Sequence, residues 1–188
     1  MTCIVGLVHK ETKKVIMGAD SAGVADSFIS IRKDTKIFRN GEFIIGCTSS
    51  FRMIQLLQFS FKPVLNEKEI FEYMCTDFIE GVRNCFKDGG FMQKGKQGED
   101  LGGQFLVGFK DRLFNVNEDF QVEETLNGID AIGCGCEFAL GALHVCDANL
   151  LPEERVLKAL RTAELFSTGV RGPFNICSTY SSEINQII

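Results

Sequence analysis

The order of strand and helix signals along the chain restricts its fold more than any other feature. Strand signals come first, two helical segments follow, strands return, and two more helical segments precede a last strand. Separate blocks of strands and helices predict packed sheets covered by helices, whereas alternating βαβ units would predict one parallel sheet. No internal repeat and no linker divides the sequence. We therefore expect residues 1–188 to form a single α+β domain.

Apolar runs and turn signals predict the individual strands. The polar turn after Val8 favours a first hairpin, and Asn40-Gly41 is a tight-turn signal for a second one. Residues 24–33 have a mixed pattern, and we expect them to be extended. The strands are predicted at Cys3 to Val8, Val15 to Ala19, Thr35 to Arg39, Glu42 to Cys47, Gln104 to Phe109, Leu113 to Val116, Phe120 to Glu123, Ile129 to Ile132 and Phe174 to Cys177. The last of these is expected to pair with the tail of the chain.

Helical spacing of apolar residues predicts the helices. Asn66 and Glu69 form a candidate cap with a reciprocal partner, and Pro152 is typical of a first helical position. The helices are predicted at Met53 to Phe61, from the Asn66 cap to about Phe86, at Phe138 to Cys146, and from Pro152 onward. The range from Lys87 to Gly103 is rich in glycine and charge, so we expect an exposed loop there.

Composition excludes several classes of function. The chain has 25 acidic and 20 basic residues without a dense basic stripe, which argues against nucleic acid as a partner. No apolar run approaches the length that spans a bilayer. The short apolar run at the N-terminus ends at His9-Lys10, so we expect no secretory leader. The eight cysteines are accordingly expected to be reduced thiols of a cytoplasmic protein.

The N-terminal stretch carries the candidate chemistry. Removal of Met1 would leave Thr2 with a hydroxyl and a free α-amine on one residue, and an adjacent amine can activate a hydroxyl nucleophile. Asp20 ends a buried strand, and Lys36 precedes the apolar pair Ile37-Phe38. Each residue alone is also compatible with an ordinary structural role. A catalytic role for Thr2, Asp20 and Lys36 therefore requires that the three side chains lie close together in the folded chain.

Other candidate sites in the sequence are weaker. Cys134-Gly135-Cys136 is a single Cys-x-Cys pair without a second close ligand pair, so neither a metal nor another cofactor is expected. His9 and His144 are expected to be structural or surface residues. Cys3 could serve as a terminal nucleophile only if Thr2 were removed as well as Met1.

Three segments occur in an order that resembles a known family. They are Thr2-Cys3-Ile4-Val5-Gly6, Met17-Gly18-Ala19-Asp20-Ser21, and Ala131-Ile132-Gly133-Cys134-Gly135-Cys136-Glu137-Phe138-Ala139-Leu140. The sequence is similar over nearly its whole length to the proteasome β-type peptidases, and most similar to the HslV type, within the N-terminal nucleophile hydrolase superfamily. This resemblance implies a four-layer αββα sandwich.

The resemblance also implies a set of catalytic residues. Thr2 would attack a peptide carbonyl, Lys36 would lie beside it as a cation, and Asp20 would hold that cation in place. A backbone N–H from the turn that starts at Gly46 would bind the oxyanion. The segment containing Cys134 would lie against the active terminus.

The sequence differs from the family pattern at several positions. Cys134 stands where the family usually has serine, and Ser49-Ser50 stands where it usually has Gly-Gly or Gly-Ser. Glu164 and Ser167 are the nearest matches to an Asp and a Ser that complete the site in proteasome subunits. The loop from Lys87 to Gly103 is longer than the HslV type needs.

The resemblance leaves three functions open. The first is a threonine peptidase that hydrolyses unfolded polypeptides inside a homo-oligomeric double ring, with an ATP-dependent unfoldase as a partner in the bacterial relatives. The second is a ring-forming homologue without peptidase activity. The third is an amidase of small molecules that uses the same terminal nucleophile.

Overall fold

The computed structural model describes residues 1–95, 98–100, 102–181 and 183–187. Within these ranges the chain forms fourteen strands and five α-helices. The strands are β1 Ile4–His9, β2 Lys14–Ala19, β3 Ala22–Ala25, β4 Phe28–Ile31, β5 Ile37–Asn40, β6 Phe43–Cys47, β7 Gln93–Gly95, β8 Gly98–Asp100, β9 Phe105–Phe109, β10 Arg112–Val116, β11 Val122–Glu124, β12 Ile129–Ile132, β13 Phe174–Ser178 and β14 Asn185–Ile187. The helices are α1 Phe51–Gln55, α2 Ile70–Tyr73, α3 Ile79–Asp88, α4 Cys136–Val145 and α5 Pro152–Phe166.

Two helical regions contain a wider turn. The helix that begins as α1 continues into a π-helical segment, Leu56–Ser60, and α2 continues through a π-helical segment, Met74–Phe78, into α3. The helix predicted at Met53 to Phe61 and the helix predicted to end near Phe86 are therefore each continuous, with one locally wider turn.

Ten of the strands form two antiparallel sheets. The first sheet has the order β12-β1-β2-β13-β14, and the second has the order β11-β10-β9-β6-β5. The predicted hairpins are confirmed: β1 pairs with β2, and β5 pairs with β6 around Gly41, whose φ of +59° suits the tight turn. The pairing of β13 with the tail strand β14 is also confirmed.

The sheets and helices form four layers, and three buried apolar clusters lie between them. Side chains such as Ile4, Met17 and Ile44 fill the space between the two sheets. Residues of α4 and α5 pack on the outer face of the first sheet, where Val5 and Leu160 belong to one buried cluster. The helices from α1 to α3 cover the second sheet in the same way. The αββα sandwich is therefore confirmed, because each sheet buries one face against its neighbour and the other against helices.

Two predictions about the middle of the chain are wrong in detail. The helix containing α2 begins after Glu69, whose carboxylate accepts hydrogen bonds from the N–H groups of Phe71 and Glu72, whereas Asn66 accepts from Lys68 before the helix starts. The range 87–103 is not one open loop, because it contains the end of α3 and the hairpin of β7 and β8. Residues 96, 97 and 101 of that range lie outside the described residues.

Candidate active site

Strand pairing in the first sheet brings the N-terminus to Asp20. Ile4 at the start of β1 pairs with Ala19 at the end of β2, so the residues just outside this pair, Cys3 and Asp20, are also adjacent. The N–H of Asp20 donates to the carbonyl of Cys3 at 3.3 Å. Thr2 therefore lies at the same end of the sheet as the Asp20 carboxylate, as a consequence of the antiparallel register.

The Asp20 carboxylate is fully buried and completely surrounded by donors. Oδ1 accepts from the Cys3 N–H at 2.9 Å, and Oδ2 accepts from the N–H groups of Ala22 at 3.0 Å and Arg171 at 3.3 Å. Three backbone donors and one ion pair offset the cost of burying a charge. This network fixes Asp20 in one orientation. The Arg171 contact was absent from the sequence-based prediction, since a backbone donor leaves no residue-type signal.

The partner of Asp20 is Lys36, which comes from the other sheet. Its Nζ lies 2.7 Å from Oδ1 of Asp20, and the lysine side chain is only 2% exposed. Burial lowers the pKa of Lys36 below its ordinary value, and the neighbouring Asp20 carboxylate opposes that shift. The site thus holds one buried ammonium group whose charge depends on one carboxylate.

The Met1–Thr2 peptide bond lies directly beside this ion pair. The Thr2 hydroxyl donates to the carbonyl oxygen of Met1 at 2.5 Å, and Nζ of Lys36 is 3.5 Å from the same oxygen. Thr2 is 4% exposed. The predicted set of Thr2, Asp20 and Lys36 therefore comes together in space, although the three residues are separated by up to 34 positions in the sequence.

The segment between β12 and α4 supports the terminus from the other side. The Thr2 N–H donates to Sγ of Cys134 at 3.3 Å, and the N–H of Gly135 donates to the Thr2 carbonyl at 3.4 Å. Gly133 has a φ of +92°, and a Cβ there would lie 2.3 Å from the Thr2 carbonyl oxygen. A glycine is required at this position by both its backbone conformation and the close approach of Thr2.

A cavity of about 100 Å³ opens next to Thr2. Its lining combines the terminus and Lys36 with hydroxyl groups and a few apolar side chains. The lining residues are Met1, Thr2, Val24, Lys36, Cys47, Thr48, Ser49, Ser50, Phe51 and Ile54. The cavity can therefore hold a small part of a ligand in contact with the Thr2 hydroxyl.

Comparison with solved structures identifies the architecture. The chain superposes on Thiobacillus denitrificans BPH with a TM-score of 0.78 and 18% identity, covering 95% of this chain and 97% of that one. It matches the eukaryotic HslV from Trypanosoma brucei with a TM-score of 0.65, 17% identity, and coverage of 94% and 98%. It matches Anbu, an ancestral beta-subunit, from Yersinia bercovieri with a TM-score of 0.67, 16% identity, and coverage of 99% and 87%. This chain has the HslV/proteasome-type fold of the N-terminal nucleophile hydrolases. No family model matches the sequence, and the search of curated proteins found no match.

Within this HslV-type fold, the turn proposed for oxyanion binding starts later than predicted. Gly46 lies inside β6, paired with Ile37 and Leu106, and is not among the residues that line the cavity. A Cβ on Gly46 would lie 2.6 Å from Cγ2 of Ile4, so the glycine serves the close packing of the two sheets. The turn itself begins after Cys47.

The two residues predicted near the end of the chain have different positions. The hydroxyl of Ser167 donates to Sγ of Cys134 at 3.4 Å, so Ser167 belongs to the support of the terminus. Glu164 instead accepts from the N–H of Gly172 at 2.9 Å and fixes the loop before β13. Among the interactions of the described residues, Glu164 makes no contact with Thr2 or Lys36.

The described part of the HslV-type fold offers neither a metal centre nor a membrane span. No group of three or more His, Cys, Asp or Glu side chains in these ranges is arranged to hold a metal ion. All eight cysteines are free thiols. No described helix is both long and apolar enough to cross a bilayer.

Proposed function

We propose that this protein is an N-terminal threonine peptidase. The observation that carries the proposal is the arrangement at the Met1–Thr2 bond, where the Thr2 hydroxyl and the Lys36 ammonium group both contact the Met1 carbonyl. Removal of Met1 would release both groups and convert the Thr2 amide nitrogen into an amine. A hydroxyl and an amine on one residue are the nucleophile and the base that peptide cleavage requires.

Three residues have separate roles in the proposed reaction. The Thr2 amine accepts the hydroxyl proton as Oγ1 attacks the substrate carbonyl. It then gives that proton to the leaving amine as the peptide C–N bond breaks, which leaves an acyl-enzyme ester. Water hydrolyses the ester, releases the carboxylic acid product and restores the Thr2 hydroxyl. Lys36 provides positive charge beside the nucleophile, which favours the unprotonated amine and stabilises the developing negative charge. Asp20 keeps the Lys36 ammonium group charged and oriented through the 2.7 Å ion pair.

We assign the oxyanion donor to the N–H of Ser49. The neighbouring N–H groups are already bonded: Cys47 donates to the Lys36 carbonyl, Thr48 to the Gln104 carbonyl, and Ser50 to the Thr48 carbonyl. The Ser49 N–H makes no hydrogen bond to any described residue, and Ser49 lines the cavity beside Thr2. A free, fixed backbone donor at a reaction centre is the usual device for stabilising an oxyanion.

The substrate and setting follow from the same proposal. An unfolded polypeptide can present any stretch of its backbone to the cavity of about 100 Å³ beside Thr2. We further propose a cytoplasmic homo-oligomeric double ring that encloses the active sites, with an ATP-dependent unfoldase as the supplier of substrate. The fold shared with HslV and Anbu supports these assignments.

A second candidate is a homologue of the same fold that lacks peptidase activity. Two features of the site favour it. Ser49 adopts a φ of +66°, which is uncommon for a residue with a side chain. The group that accepts the hydrogen bond from the Thr2 nitrogen is the thiol of Cys134, where the related peptidases usually have a serine hydroxyl. A thiol is a weaker hydrogen-bond partner than a hydroxyl. In this alternative, Met1 stays attached and the terminus has only a structural role.

One experiment separates these functions. The intact mass of the purified protein reports whether Met1 is present, and hydrolysis of fluorogenic peptide amides reports activity for the wild type, Thr2→Ala and Thr2→Ser. The peptidase proposal expects loss of Met1, no activity for Thr2→Ala and partial activity for Thr2→Ser. Full turnover by Thr2→Ala, or a wild type that retains Met1 and is inactive, would overturn it. Cleavage of small acyl amides without cleavage of peptides would indicate the amidase.

A binding measurement adds a readout that does not depend on turnover. Epoxomicin is bound in one of the Thiobacillus denitrificans BPH structures, which matches this chain with a TM-score of 0.78. We expect epoxomicin to raise the melting temperature of the wild type and not that of Thr2→Ala, because a ligand stabilises only the state that binds it. An equal shift for both proteins would argue against Thr2 as its site.

A further inference from the structure

The Cys134 thiol is a nucleophile that the proposed peptidase reaction does not use. Its Sγ accepts a hydrogen bond from the Thr2 N–H at 3.3 Å, and the thiol donates to the Thr2 carbonyl at 3.5 Å. The Ser167 hydroxyl donates to the same sulfur at 3.4 Å. These hydrogen bonds hold a nucleophilic sulfur atom in contact with the nitrogen that becomes the terminal amine when Met1 is removed.

Cys134 is the accessible one of three cysteines close to the terminus. Cys3 is completely buried, and burial raises the pKa of its thiol far above the ordinary value. Cys136 is half-buried at the start of α4, and burial raises the pKa of its thiol as well. Cys134 is exposed. Because oxidants react with exposed thiols in preference to buried, protonated ones, Cys134 is the position at which a peroxide would react first.

Removal of Met1 affects both the sulfur and the nitrogen. A Cβ at Gly169 would lie 2.4 Å from Cβ of Met1 and 2.8 Å from Sγ of Cys134, so the Met1 side chain and the thiol pack against the same piece of backbone. Loss of Met1 therefore opens access to the sulfur. It also converts the Thr2 amide nitrogen, whose lone pair is delocalised into the Met1 carbonyl, into an amine with a free lone pair.

We propose that a hydroperoxide joins Cys134 to the Thr2 amine through a reversible S–N bond that inactivates the enzyme. This inference rests on the proposed function, because it requires the terminal amine of Thr2. In the first step the sulfur attacks the O–O bond and is oxidised to a sulfenic acid, while the peroxide is reduced to water or an alcohol. In the second step the Thr2 amine attacks Sγ, the S–N bond forms, and the S–O bond breaks. The hydroxyl leaves as water with one proton of the amine.

The product, a sulfenamide, removes the base of the proposed reaction. Its nitrogen is bonded to Cys134 and no longer accepts the proton of the Thr2 hydroxyl, so the nucleophile is not activated. Thiols reverse the change: one thiol attacks Sγ and releases the amine, and a second reduces the resulting mixed disulfide to Cys134. A serine at position 134 could support the Thr2 nitrogen but could not be oxidised in this way. The thiol therefore gives the proposed peptidase a response to peroxide.

Mass spectrometry of the purified full-length protein tests the proposal. After treatment with hydrogen peroxide at about pH 8, where about half of an α-amine is unprotonated, the protein without Met1 should lose about 2 Da, the mass of two hydrogen atoms. The Thr2 amine should stop reacting with an aldehyde reagent selective for α-amines. This second readout distinguishes the S–N bond from a disulfide, which has the same mass change but leaves the amine free. Dithiothreitol should restore both the mass and the reactivity of the amine.

Two serine variants locate the sulfur that reacts. Cys134→Ser should keep its mass and its reactive amine after the peroxide treatment. Cys136→Ser is the matched control in the same Cys-x-Cys segment and should form the S–N bond like the wild type. Peptidase activity of the wild type should fall in proportion to the crosslinked fraction and return with dithiothreitol. An amine that stays reactive in the oxidised wild type, or an S–N bond that still forms in Cys134→Ser, would overturn the proposal.

The same measurements separate this proposal from the proposed function. A protein that lacks Met1 and forms the S–N bond, yet cleaves no peptide, would support the crosslink and contradict the peptidase. A protein that cleaves peptides through Thr2 but keeps its amine free after oxidation would support the peptidase and overturn the crosslink. Retention of Met1 in an inactive protein would overturn both, because Thr2 would then have no terminal amine.

Discussion

Nζ of Lys36 and Oδ1 of Asp20 are 2.7 Å apart, and this ion pair joins the two sheets of the sandwich. Asp20 follows β2 in the first sheet, and Lys36 precedes β5 in the second. Both side chains are almost completely buried, so neither charge has water as an alternative partner. The pair therefore contributes to the position of the terminus and to the stability of the fold at the same time.

Replacing Asp20 with asparagine should destabilise the protein strongly. The Lys36 ammonium group would stay buried without its counter-charge, a change that typically costs about 3–5 kcal/mol. Chemical denaturation with urea gives the loss directly. The exposed pair of Arg32 and Asp34 offers a control, since Asp34→Asn removes a surface salt bridge and should cost less than about 1 kcal/mol.

The loss of stability caused by Asp20→Asn should become smaller when Lys36 is replaced as well. In the double variant Asp20→Asn/Lys36→Met no unpaired charge is left, so we expect part of the lost stability to return. Strict additivity of the two single changes in urea denaturation would show that the ion pair is not the cause of the loss.

Gly133→Ala should displace the N-terminus. The new Cβ would overlap the Thr2 carbonyl oxygen, at 2.3 Å, in a residue whose φ of +92° already disfavours a side chain. We expect a stability loss on the order of 2–4 kcal/mol and loss of any peptidase activity. Gly90→Ala is the matched comparison: Gly90 also has a positive φ of +64°, but its Cβ would meet nothing within 4 Å. Equal losses in the two variants would mean that contact with Thr2 is unimportant.

Cys134→Ser should preserve the support of the Thr2 nitrogen, and Cys134→Ala should remove it. The thiol accepts hydrogen bonds from Thr2 and Ser167, and a hydroxyl accepts such bonds more strongly. If the terminus is catalytic, kcat/KM of the serine variant should equal or exceed that of the wild type, while the alanine variant should fall about tenfold, the effect of roughly one hydrogen bond. Activity of the alanine variant at or above that of the serine variant would contradict this role.

Asp130→Asn should stabilise the protein at neutral pH. Burial raises the pKa of Asp130, and Oδ2 of that residue accepts from the Asn115 amide while Oδ1 of Asn115 has no partner. A neutral amide at position 130 avoids the buried charge, and its oxygen can keep the bond that Oδ1 of Asp130 accepts from the Ala131 N–H at 2.7 Å. Its NH2 group then faces Asn115 and can donate to the unpaired oxygen once the Asn115 amide turns over. We expect a gain of about 1 kcal/mol in urea denaturation at neutral pH.

The pH dependence of that gain has a definite sign. A carboxyl group with a raised pKa in the folded state makes wild-type stability fall as pH rises from the unfolded-state pKa through the folded-state pKa. The advantage of Asp130→Asn should therefore be full above the folded-state pKa and narrow as the pH falls toward the unfolded-state pKa of about 4, because below that value the carboxyl group is neutral in both states. A difference that stays constant over this range would show that ionisation of Asp130 is not responsible.

Much of the site was predictable because it is local in the sequence. Apolar runs located β1, β2, β5 and β6 to within one or two residues, and Asp20 and Lys36 stand at the ends of such runs. The N-terminal position of Thr2 after Met1 is itself a sequence property. The resemblance of three short segments to the HslV type supplied the four-layer architecture, which the superpositions confirm.

Other features depended on contacts between distant parts of the chain. Gly46 looked like the start of a turn, but only the stacking of β6 against Ile4 and Met17 shows why a glycine is needed there. Glu164 and Ser167 are three residues apart, yet Glu164 fixes a loop and Ser167 contacts Cys134. The reason is that α5 ends at Phe166, between these two residues, and the backbone is extended at Ser167.

The sequence by itself determined where most of the strands and helices form and which residues carry reactive groups, because propensity, turn signals and side-chain chemistry are properties of neighbouring residues. The tertiary structure alone decided which of those groups meet. Antiparallel register placed Asp20 beside the terminus, and sheet stacking brought Lys36 to it from the second sheet. Backbone donors such as those of Ser49 and Arg171 depend on conformation rather than residue type, so only the folded chain reveals them.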